Sequence, residues 1–104
     1  ADAIDLPTPL TPTVQVLDNQ FSPRAMTITV GKTVSWVWAG AGNAHNVAPA
    51  DGLVPSQSGP PVAGPHTYVY TFTTPGVYTY YCEAHGLPSG TGMAGTITVL
   101  ATEP

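Results

Sequence analysis

The run Met26-Thr27-Ile28-Thr29-Val30-Gly31-Lys32-Thr33-Val34-Ser35-Trp36-Val37-Trp38 decides the fold class. Apolar and polar residues alternate through Met26–Val30, so Met26, Ile28 and Val30 share one face of an extended strand that looks into a core. Gly31-Lys32 turns the chain into Thr33–Trp38, where Trp36 and Trp38 supply core mass. The same pattern extends both ways. Thr13–Leu17 is a short first strand; His66–Phe72 sets Tyr68, Tyr70 and Phe72 on one face. Thr74-Pro75-Gly76 is a turn into Val77–Cys82, and Gly95–Leu100 closes the series with Ile97 and Val99 inward. Strong helix formers are scarce, and no helical-period window carries a capping signal. Short strands joined by turns, with no helix between, predict an all-β antiparallel sandwich or barrel.

Composition narrows the function. The chain has 104 residues, enough for one core and too few for two. Residues 13–104 are expected to form that domain, and the Pro-rich stretch 1–12 a tail or tether. Only two residues are basic against six acidic, a net charge of −4, so no basic stripe exists for a nucleic acid. With 42% hydrophobic residues the chain is not a disordered polymer, and Gly, Pro and His break its uncharged reaches before a membrane-spanning length is attained. There is one cysteine, Cys82, so no intramolecular disulfide. Its thiol either sits in a reducing compartment or is protected by something else.

Cys82 is also where the chemistry gathers. Tyr78, Tyr80 and Cys82 share one face of their strand, so Cys82 ends an inward stripe while Tyr81 points to the other side. His85 and Met93 follow in the loop to the last strand, and His45 lies in the loop after the Trp36/Trp38 strand. Two loops at one end of a sandwich can bring a thiolate, two imidazoles and a thioether together. Thiolate and thioether favour Cu(I), imidazole also serves Cu(II), and two His and one Cys with a weak axial Met is the blue-copper electron-transfer set. Zinc sites also mix Cys and His but are usually closed by further Cys or His rather than Met. A Cys–His hydrolase would use Cys82 as nucleophile and His45 or His85 as base, but leaves Met93 without a role.

The stretches Phe21-Ser22-Pro23, Ile28–Trp36, His45-Asn46-Val47 and Pro75–Cys82, then His85, Gly92-Met93 and Gly95–Val99, fall in the order of the cupredoxin family. Over residues 13–100 the chain resembles a plastocyanin-like blue copper domain of the bacterial or archaeal kind. The resemblance implies a Greek-key β-sandwich holding one type 1 copper near one end. His45, Cys82 and His85 would be the strong ligands and Met93 the axial one. Asn46 resembles the residue that ties the two ligand loops together, its backbone N–H donating to the Cys82 sulfur. His85 resembles the ligand whose ring edge reaches the surface, through an apolar patch for which Ala41, Ala44, Leu87 and Pro88 are candidates; Tyr81 resembles a more remote electron exit. The function so implied is a single-electron shuttle between a redox donor and an acceptor, monomeric and extracytoplasmic. A copper chaperone or storage domain is the alternative. No transmembrane segment is expected, though the N-terminus could tether the domain to a membrane.

Two features depart from the plant members of the family. Seven residues, Gly86 to Gly92, separate His85 from Met93, and Glu83 places an acid beside Cys82. Met26 is expected in the core and His66 in a surface or structural role, neither as a ligand.

Overall fold

The structure is a computed structural model and describes residues 12–38 and 42–102. The expected tail, apart from Pro12, lies outside the described residues. Eight strands follow in order: β1 (Thr13–Leu17), β2 (Gln20–Ser22), β3 (Ala25–Thr29), β4 (Thr33–Trp38), β5 (Ala48–Pro49), β6 (His66–Thr71), β7 (Gly76–Gly86) and β8 (Gly92–Leu100). They make two four-stranded sheets, β2-β1-β4-β6 and β3-β8-β7-β5, the all-β sandwich expected from the alternation. Among the described residues there is no helix long and apolar enough to cross a membrane.

The expectation of a purely antiparallel arrangement is corrected in two places. β1 pairs parallel to β4, and β3 parallel to β8. The cause is sheet switching. β3 and β4 do not pair across Gly31-Lys32; the turn carries the chain from one sheet to the other, held by Gly31 N donating to Phe72 O and Phe72 N to Lys32 O. A strand that returns after such a crossing lies beside an earlier strand running the same way.

The inward faces meet in one core containing Val14, Val16, Phe21, Ile28, Val34, Trp36, Trp38, Phe72, Tyr80, Ile97 and Val99. Trp36 is its hub, with ring centroids 5.5, 6.4 and 5.3 Å from Tyr68, Phe72 and Tyr80. Each such pair adds about 0.5–1.5 kcal/mol beyond the area it buries. Met26 is partly buried against this core as expected, and His66 is exposed, its ring set edgewise on Trp38.

The β7–β8 ladder pairs regularly from Gly76 opposite Val99 to Tyr81 opposite Ala94, shifts register, and resumes with Gly86 opposite Gly92. Residues 82–85 thus stand against Met93 alone. The segment expected to be a seven-residue loop is a hairpin whose first and last residues pair, closed by Leu87 N donating to Thr91 O and Gly90 N to Leu87 O. Its base needs glycine because of space: a Cβ on Gly86 would sit 2.2 Å from the carbonyl oxygen of Met93. Gly90, at the tip, has φ +94° and open space around it.

Two outcomes follow. Gly86→Ala is expected to destabilise the metal-free protein by about 3 kcal/mol or more, through backbone collision. Gly90→Ala is expected to cost only the left-handed conformation, about 1–2 kcal/mol; urea unfolding compares the two. Second, burial pushes the Tyr80 hydroxyl up to about 12, and the opposing pull of the Trp36 N–H and Arg24 does not offset it. Neither Tyr80 OH nor Trp36 Nε1 has a partner in normal hydrogen-bonding geometry. The folded state therefore keeps a proton that the unfolded chain gives up near pH 10. The associated stability is complete below about pH 10 and is lost as pH rises through about 12, amounting to about 3 kcal/mol. Unfolding measured at pH 9 and pH 11.5 should show this loss in the native sequence and a smaller one in Tyr80→Phe.

Candidate metal centre

Cys82, His85 and His45 come together at the end of the sandwich where the β7–β8 ladder breaks. In an unbroken strand, residues three apart point to opposite faces, so Cys82 and His85 could not share a site. The bulge of residues 82–85 removes that conflict and turns His85 back toward the side of Cys82. His45 arrives from the other loop. Its backbone forms an isolated antiparallel bridge with Val62, with N···O distances of 2.9 Å both ways, and its carbonyl accepts from the Trp38 indole N–H at 3.0 Å. The loop from Ala50 to Pro65 is thus ordered scaffold, as Ser58 also bonds Val47 through its hydroxyl and its amide.

The ligand atoms form a small triangle. His45 Nδ1 and His85 Nδ1 are 3.1 Å apart, and Cys82 Sγ lies 3.8 Å from the first and 3.7 Å from the second. Typical bonds of about 2.0 Å to nitrogen and about 2.3 Å to sulfur would hold donors of a trigonal ion about 3.5–3.7 Å apart. The triangle therefore fits a metal ion at its centre. Its chemistry, two imidazoles and a thiolate, fits copper. His45 and Cys82 are fully buried and His85 is exposed. Met93 is also buried, on the strand directly opposite the bulge. Tight pairing of Gly86 with Gly92 keeps it there despite the long connection.

Surrounding contacts make the arrangement rigid. The buried Asn46 accepts from the Glu83 amide at 2.9 Å and donates to Glu83 Oε1 at 2.8 Å and Gly59 O at 3.0 Å. Its side chain is thus the expected tie between the two ligand loops. Glu83 is exposed, and its carboxylate is shared between Asn46 and the Gln57 amide. Arg24, one of only two basic residues, donates to Gly90 O at 2.6 Å and Gly92 O at 3.2 Å, clamping the hairpin that carries Met93.

Asp18 is a residue that sequence reading missed. From the β1–β2 turn its Oδ1 lies 2.8 Å from His45 Nε2 and accepts the Asn43 amide at 3.0 Å; Oδ2 accepts the Gly42 amide at 3.3 Å. The His45 hydrogen bond, then the Asn43 amide, hold its carboxyl below the usual range. An Asp-Asn pair between two short strands signals only a turn, and its use as a partner for a histidine 27 residues later has no local signature.

At the surface Ala44, Leu87 and Pro88 are exposed, and Ala41 lies outside the described residues. Leu87 joins His85, Glu83, Ala84, Thr91 and Gly92 in lining an open groove. Tyr81, on the outer face of its sheet, is half-buried between Ala48 and Ala94.

Known proteins agree with this geometry. The sequence profile described as copper binding proteins, plastocyanin/azurin family, matches residues 12–100. Plastocyanin of Scenedesmus fuscus is 39% identical over 87 residues, covering 76% of this chain and 85% of the relative. The crystal structure of amicyanin from Paracoccus versutus superposes with a TM-score of 0.69 at 30% identity, covering 91% of this chain and 85% of that one. Similar amicyanin structures include an oxidised and a reduced Cu(I) form. A copper-containing nitrite reductase from Thermus scotoductus matches all of this chain with a quarter of its own, at 32% identity and a TM-score of 0.66. With fold, donor triangle and sequence profile in accord, the chain belongs to the plastocyanin/azurin family of copper-binding proteins, and His45, Cys82 and His85 form a donor set that fits its copper.

Proposed function

We propose that the protein is a carrier, not an enzyme, taking one electron from a redox donor and passing it to an acceptor through a single copper held by His45, Cys82, His85 and Met93. The observation that carries this reading is the convergence of Cys82 Sγ, His45 Nδ1 and His85 Nδ1 within 4.8 Å of one another, two of the three residues being fully buried. Copper in such a set supplies a one-electron change between Cu(II) and Cu(I). The chain's own part is to hold the donors still. Val62 and Trp38 pin the backbone of His45, whose side chain is fully buried, and Cys82 is locked in the core. Little rearrangement means a small barrier to transfer.

His85 is the ligand open to solvent, so its ring edge is the entry and exit point, framed by Ala44, Leu87 and Pro88; Tyr81 serves as a second, more distant route. The Asn46 side chain, tied to the amide and carboxylate of Glu83, steadies the segment that carries the Cys82 thiolate. Glu83, exposed and shared by two amides, leaves a largely screened charge beside the site. Burial of Cys82 and His45 argues against a chaperone or storage role, which requires ligands that a partner can reach. Ligation of the lone thiol by copper suits an extracytoplasmic, oxidising location, where the chain works as a monomer with protein redox partners.

Copper-loaded protein is expected to give a reversible one-electron wave in voltammetry. Met93→Leu should keep the wave and raise the potential by about 59 mV or more, one decade in preference for Cu(I). Cys82→Ser should abolish the wave. An unchanged potential in Met93→Leu would place another group in the axial position, and no wave in the native protein would overturn the reading.

A further inference from the structure

We propose that Asp18 is the positioning residue for the His45 ligand: its carboxylate sets the tautomer and plane of the ring from outside and biases the site toward the oxidised metal. The redox half of this inference rests on the copper reading above; the tautomer half concerns the metal-free protein.

The two ring nitrogens of His45 have separate surroundings. Nδ1 faces Cys82 Sγ and His85 Nδ1, whereas Nε2 lies 2.8 Å from Asp18 Oδ1. An ionised carboxylate only accepts hydrogen bonds, so Nε2 carries the hydrogen and Nδ1 presents a lone pair to the site. Val62 and Trp38 hold the backbone of His45, which fixes its Cα but not the rotation of its ring. Asp18 supplies the hold on the far edge. The carboxylate is itself immobilised, since Asn43 and Gly42 donate their amides to it. One carboxylate thereby couples the β1–β2 turn, the segment leading to His45, and the ring.

The two histidines are therefore unequal. Among the described residues no hydrogen bond engages His85 Nε2, while His45 is locked on both sides. Hydrogen bonding to a carboxylate raises the basicity of a ligating imidazole. A negative charge on that line also stabilises the more positive ion, so Asp18 lowers the reduction potential. With its side chain 43% exposed, part of that effect is screened.

Asp18→Asn keeps an oxygen acceptor for His45 and Asn43 without the charge; Asp18→Ala removes both. In metal-free protein at pH 8, long-range ¹H–¹⁵N spectra should show His45 as a single Nε2–H tautomer in the native sequence and a mixture in Asp18→Ala. Competition with a chelator should show Cu(II) affinity falling 10–100-fold in Asp18→Ala and much less in Asp18→Asn. The reduction potential should rise in Asp18→Asn with the thiolate-to-copper band retained. A single Nε2–H tautomer in Asp18→Ala with affinity within about twofold of native overturns the proposal, as does an unchanged potential in Asp18→Asn. Should Asp18→Ala not fold, the potential of Asp18→Asn decides alone. A native protein without a voltammetric wave would instead sink the copper reading while leaving the tautomer result standing.

Discussion

A β-ladder that breaks for four residues and then resumes is the constraint on which the site depends. Residues 82–85 of β7 oppose Met93 alone, between the pairs Tyr81–Ala94 and Gly86–Gly92. The surplus length has nowhere to go along the ladder, so it bulges toward the sandwich end and lets Cys82 and His85 face the same point. Resumption of pairing at Gly86 then prevents the surplus from relaxing into the hairpin. Arg24 secures the far strand by donating to Gly90 and Gly92.

The core and the site are one packing unit. Cys82 ends the stripe that includes Tyr80, and Tyr80 stacks edgewise on Trp36 and Phe21. Trp38, on the same strand as Trp36, reaches through its indole N–H to the carbonyl of His45. Close-packed interiors yield little to local change, so donors anchored this way keep their separations whatever the metal prefers. Rigidity on the buried side and exposure at His85 together describe a centre that trades electrons without trading ligands.

Much of this was legible in the sequence, for reasons specific to each element. Alternation through Thr13–Leu17 and Thr33–Trp38 reproduces β1 and β4 residue for residue. Strand direction leaves no trace in alternation, so the parallel pairing of β1 with β4 and of β3 with β8 was invisible. β2 and β5 are three and two residues long, too short for any period, and Pro49 argues locally against a strand. His45, Cys82, His85 and Met93 were legible because their chemistry is distinctive. Met93's firm placement was not, because the contacts that fix it are the long-range pairing of Gly86 with Gly92 and the reach of Arg24. Asp18 was hidden for the same reason: its partner lies across the fold.

The lone cysteine began as a choice between a reducing compartment and a protected thiol. Its burial at 0% exposure, beside two imidazole nitrogens at 3.7 and 3.8 Å, makes metal ligation the protection. The electronic spectrum of the Cu(II)-loaded protein tests that most directly. The account predicts an intense thiolate-to-copper band in the visible with narrow copper hyperfine splitting. A colourless protein binding Cu(II) through ordinary nitrogen and oxygen ligands would contradict it.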